Sequence, residues 1–70
     1  MCVQIILNRS GDARHVFDPA RADDLARAQE RFSRLVTRGY SAFDRQSGRR
    51  LTQFDPAATE TVFVPLLCGG

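Results

Sequence analysis

The residues whose types could do chemistry stand at the end of the chain, in Cys68-Gly69-Gly70. Neither glycine can pack a core, and each loses more backbone freedom on ordering than any other residue. What they offer is a slim strip ending in a carboxylate that can thread into a narrow active site. Acyl transfer needs its carbonyl approached along a defined line, and a Cβ on either of the last two residues would crowd that line. Gly70 is therefore the candidate for activation and conjugation, and Cys68 and Gly69 form the strip that threads. The Cys68 thiol, two positions from that carboxyl, could join acyl or persulfide chemistry, or be a plain thiol without a role. Asp24 and Glu30 have no partner spacing for acid–base work. These residues supply no catalytic group of their own, so the chain does not read as an enzyme.

Other chemistries find less support. One histidine, His15, and no Cys-x-x-Cys or His-x-x-x-His spacing argue against a zinc site. A disulfide between Cys2 and Cys68 is not expected to be structural in a reducing compartment. All ten basic residues are arginine, so no side-chain amine can accept an acyl group, and self-linkage could use only the N-terminal amine. Arg27, Arg31, Arg34 and Arg38 fall on one side of a helix and read as a solvated polar face. A net charge of +2 with interspersed acids argues against a nucleic-acid footprint. His15 and Tyr40 read as structural. No apolar run approaches the roughly 18 residues of a membrane span. No basic stretch leads into an apolar core as in a signal peptide. The expected location is cytoplasmic, away from membranes.

The elements that must hold this terminus can be read in order. Seventy residues with 43% hydrophobic and 26% charged side chains fit one globular domain. Its core would contribute only about 3–5 kcal/mol of net stability. Val3, Ile5 and Leu7 alternate with Gln4, Ile6 and Asn8 as in a strand, Arg9-Ser10-Gly11-Asp12 signals a turn, and Ala13 to Phe17 return. Asp18-Pro19 suits a helix start, as do Asp23 and Asp24 a little later. Leu25, Ala28, Phe32, Leu35 and Val36 make one apolar stripe, Gly39 reads as the glycine after the helix, and the spacing predicts a helix over about 22–38. Tyr40, Ala42 and Phe43 begin another strand, Gln46-Ser47-Gly48-Arg49 turns, and Leu51 to Phe54 return. Asp55-Pro56-Ala57-Ala58 is a turn, and Thr59 to Val64 form the last strand, with pairing expected to fade past Pro65. The order β-β-α-β-β-β places one helix on a mixed sheet of four or five strands. If the last strand runs parallel to the first in the sheet centre, both lie against the helix, which is the β-grasp arrangement.

That order, with the ending Glu60-Thr61-Val62-Phe63-Val64-Pro65-Leu66-Leu67-Cys68-Gly69-Gly70, resembles the ubiquitin-like β-grasp proteins. The ending is most similar to the prokaryotic sulfur carriers, the small subunit of molybdopterin synthase and the thiamin sulfur carrier. The resemblance implies an α+β, ubiquitin-like β-grasp domain over 1–67 and a flexible reactive tail over 68–70. It also implies an E1-like activating enzyme that uses ATP and magnesium to adenylate Gly70, with no cofactor bound by the chain itself. In one branch the acyl-adenylate becomes a thiocarboxylate that donates sulfur to a cofactor or thionucleoside. In the other it becomes a thioester passed to a target lysine in a bacterial ubiquitination-like pathway. The sequence departs from both branches at Cys68, where a basic or small residue is usual, and in its short link between Phe54 and the last strand. These departures favour the modifier, whose further partners would be an E2-like enzyme, a JAB-type peptidase and a target protein. A β-grasp interaction module with an incidental Gly-Gly is a third reading.

Alternation suggests Val3, Ile5 and Leu7 on the helix side, with Ile6 on the other face. Phe63 would point inward, and Val62 and Val64 outward. Ile6, Val64, Leu66 and Leu67 would then form an apolar patch beside the tail, where the resemblance implies that the activating enzyme docks.

Overall fold

The computed structural model describes residues 1–65. One helix packs on a five-stranded mixed sheet, giving a small α+β fold. The strands are β1 (Cys2–Asn8), β2 (Gly11–Phe17), β3 (Tyr40–Asp44), β4 (Arg50–Leu51) and β5 (Glu60–Pro65), and α1 spans Ala22–Thr37. Their spatial order is β2-β1-β5-β3-β4. The first and last strands lie side by side and parallel, with Ile6 opposite Phe63. The other three pairings are antiparallel. The expected parallel contact between the two ends of the sequence is present, and it places β5 in the middle of the sheet.

Local chemistry explains the connections. Asn8 Oδ1 accepts from both the amide and the hydroxyl of Ser10, each at 2.9 Å, and tightens the β1–β2 turn. The helix begins at the later of the two expected starts. Arg21 occupies the N-cap without a side-chain cap, while Asp18 and Pro19 form a turn before it, in which Asp18 Oδ1 accepts from the Ala20 amide. Asp23 and Asp24 sit in the first turn, where the helix dipole favours negative charge. Gly39 ends the helix at φ +100°, a conformation that a side chain would strain.

The stripe on α1 buries Ala28, Phe32 and Leu35. Phe32 meets Phe63 edge-on at 5.6 Å between ring centroids, and Ala42 and Leu35 complete that cluster. Cys2, Phe17 and Ala28 form a second cluster. Val36, expected in the stripe, is instead 39% exposed at the edge of the core. Phe54 touches both clusters, with its ring 6.1 Å from Phe17 and 6.0 Å from Phe32. This explains a departure from expectation in β4, which ends at Leu51 instead of running to Phe54. The chain leaves the ladder so that the ring can close the gap between the two groups.

The faces of β1 are the reverse of the alternation reading. Cys2 packs with Phe17 and Ala28, and Ile6 packs against the Phe32–Phe63 cluster, so the even-numbered residues face the helix. Val3, Ile5 and Leu7 face away from it. The cause is Gln4, which is fully buried under α1. Its Nε2 donates to the Ala28 carbonyl at 3.0 Å, and its Oε1 accepts from Arg31 Nη1 at 2.7 Å. With both ends of the amide paired, a polar side chain fits in the core.

Candidate functional site

The expected site divides into a terminal strip and a docking patch. Leu66, Leu67, Cys68, Gly69 and Gly70 lie outside the described residues. Of the patch, Ile6 and Val64 remain, and they lie on opposite faces of the sheet. Ile6 is half-buried against the core on the helix side. Val64 is 37% exposed on the open face. The physical reason is the register: Ile6 pairs with Phe63, and Val64 is the next residue along β5.

The open face carries a broader apolar surface than the sequence suggested. Ile5 lies beside Val62, and Val62 beside Phe43 on β3. Val3 and Leu7 continue the row along β1, and Val64 continues it along β5. These residues come from three adjacent strands, so the sheet itself holds them in place. Ile5 is only 3% exposed although no helix covers it. It lies in a 280 Å³ depression with Leu7 and Val62, flanked by Arg14 and Arg45. Missing from the expected patch were Val3, Ile5, Leu7, Phe43 and Val62. Val62 was already expected to point outward, and Phe43 pairs with it. Val3, Ile5 and Leu7 are revealed only by the burial of Gln4, which no local pattern in the sequence announced.

The rim of this face is charged. Arg45 Nη1 lies 3.2 Å from Glu60 Oε2 with both groups in solvent, an exposed pair that contributes little to stability. Arg14 stands opposite Ile5, and Arg50 opposite Phe43. Where β5 leaves the sheet, Leu7, Tyr40 and Pro65 line a mostly apolar 570 Å³ hollow, bordered by Asn8, Arg9 and Ser10.

Other groups contribute less. Cys2 is a buried free thiol whose Sγ faces the Pro56 carbonyl at 3.8 Å, so it is shielded from reagents. Burial, and then the charge of Arg31, lower the pKa of His15 below its ordinary value of 6.5, which favours a neutral imidazole. Arg31 is itself lowered by burial and then by Arg34. Among the described residues no group of three or more His, Cys, Asp or Glu side chains could hold a metal, and no helix is long and apolar enough to cross a membrane. The arrangement offers an apolar face, a basic rim and a central strand that ends at Pro65. No protein-family model, curated protein or solved structure matches the chain.

Proposed function

We propose that the protein is a ubiquitin-like β-grasp modifier, activated at Gly70 by an E1-like enzyme with ATP and magnesium and passed through thioesters to amines of target proteins. One observation carries the reading. The central strand β5, parallel to β1, ends at Pro65 beside an apolar face, and Leu66-Leu67-Cys68-Gly69-Gly70 follow it in the sequence. A sheet of order β2-β1-β5-β3-β4 with a single helix is compatible with the β-grasp arrangement. In this reading the folded body is what a partner grips, through Leu7, Val62 and Val64 around the buried Ile5, while the terminus enters the partner's active site. An E2-like enzyme, a JAB-type peptidase and a lysine-bearing target would follow the activating enzyme.

The test is incubation of the chain ending at Gly70 with an E1-like enzyme, ATP and magnesium, followed by intact mass spectrometry. A modifier yields adducts on a lysine-bearing protein that survive reducing agent. A terminus that gains one sulfur in place of one oxygen identifies a sulfur carrier instead. A chain that does neither, and keeps its cellular role without Gly69 and Gly70, is an interaction module, and the proposal fails.

A further inference from the structure

On the helix side, α1 and β2 enclose a 120 Å³ hollow lined by Val16, Phe17, Asp24, Arg27 and Arg31. Arg27 and Arg31 stand one helical turn apart on α1, so their side chains are neighbours on one face. The sequence placed both on a solvated face. The structure instead half-buries Arg31, whose Nη1 donates to Gln4 Oε1 at 2.7 Å. That bond orients the guanidinium and leaves its other N–H donors available.

The hollow carries more positive charge than its own side chains neutralise. Neither Arg27 nor Arg31 lies within 4.0 Å of a carboxylate among the described residues. Burial, and then the charge of Arg34, disfavour the charged form of Arg31. Gln4 is neutral, and His15, opposite Gln4 on β2, brings no negative charge. Asp24 is the one acid lining the hollow, and its Oδ2 already accepts from the Asp18 amide at 3.1 Å. A half-buried guanidinium bonded to a neutral amide gains from an added anion. The donors select the kind of anion. A carboxylate has two oxygens in one plane and satisfies one guanidinium fork. Two forks at one hollow call for more oxygens in more directions. A phosphoryl group offers three, with a charge of about −2.

We propose that the hollow between α1 and β2 binds the phosphoryl group of free phosphate or of a small phosphate monoester, held by Arg27 and Arg31. The hollow takes the phosphoryl oxygens, and an ester substituent stays in solvent. The site is independent of the chemistry at Gly70 and of the open sheet face.

The experiment is an NMR titration of the isotope-labelled full chain at about pH 7.5, where a phosphate monoester is largely dianionic. Sodium chloride holds the ionic strength constant, because simple screening would otherwise mimic binding. The probes are inorganic phosphate and, separately, glycerol phosphate. Saturable shifts should concentrate at the Arg27 and Arg31 side chains and the Val16 and Phe17 amides. Tighter binding of glycerol phosphate supports the ester as occupant, and tighter binding of inorganic phosphate supports the free ion. Arg27 is exposed, so Arg27→Gln should leave the spectrum dispersed and weaken binding by about tenfold. Asp24→Asn keeps an acceptor for the Asp18 amide and removes a like charge, so it should tighten binding. The proposal is overturned if neither probe gives saturable shifts at tens of millimolar, or if acetate binds equally well. It also fails if the shifts spread evenly over all the arginines, or if Arg27→Gln binds as well as the parent.

Discussion

Gln4 decides more of this structure than any other single residue. It is an amide in the core, joined to the helix backbone through Ala28 and to the helix surface through Arg31. Gln4→Ala would leave a void and strip the Arg31 guanidinium of its partner. A loss of about 2–3 kcal/mol is expected, read as a lower urea midpoint with an unchanged denaturant slope. Gln4→Glu provides a second check: a carboxylate facing the Ala28 carbonyl replaces a donor with an acceptor, so it should also destabilise. The neighbouring His15 gives the fold a pH dependence. Its pKa is lower folded than unfolded, so the unfolded chain takes up a proton first as pH falls. Stability contributed by the neutral ring is present at pH 7 and declines as pH drops through 6.5 toward the folded value. Denaturation midpoints measured from pH 7 to 5 should fall less steeply in His15→Gln than in the parent. Parallel slopes would remove His15 from the explanation.

Most of the elements were legible in the sequence because their signals are local. The helix stripe from Ala28 to Leu35 and the glycine that ends it depend on spacing within one segment. The turns at Asn8–Gly11 and Asp44–Gly48 depend on side chains and glycines close by. Face assignment in β1 was not legible. Every position from Cys2 to Leu7 except Gln4 is apolar, so a period of two cannot say which side is inward. The polar residue, normally the marker of the outer face, is the one that is buried. This reversal removed Ile6 from the candidate surface and brought Ile5 and Leu7 onto it. Phe54 was misplaced for a similar reason: a strand-forming ring looks the same in sequence whether it pairs in a ladder or bridges two clusters. Phe54→Ala, which removes that bridge, should cost about 2–4 kcal/mol. In a domain this small, that is enough to leave much of the protein unfolded at 25 °C by circular dichroism.

The whole molecule separates a packed face from an open one. The helix covers one side of the sheet, and on the other side Leu7, Val62 and Val64 meet solvent or the arginine rim around the buried Ile5. A surface held by three strands can change its chemistry without losing its shape. Val64→Arg should therefore shift stability by no more than about 0.5 kcal/mol, as exposed substitutions usually do. Under the proposed function, the same change should slow loading of Gly70 by an E1-like enzyme, measured as the rate of ATP-dependent adduct formation. Normal loading of a stable Val64→Arg protein would show that the open face takes no part in recognition.

The adjacency of β1 and β5 has a bearing on biosynthesis. A chain emerging from the ribosome cannot complete this sheet until β5 has been translated, because the strand that bridges the two halves is the last of the five. Premature stops should yield unfolded peptides open to proteolysis, not partly working domains. A finished body therefore requires synthesis past Pro65, the end of β5.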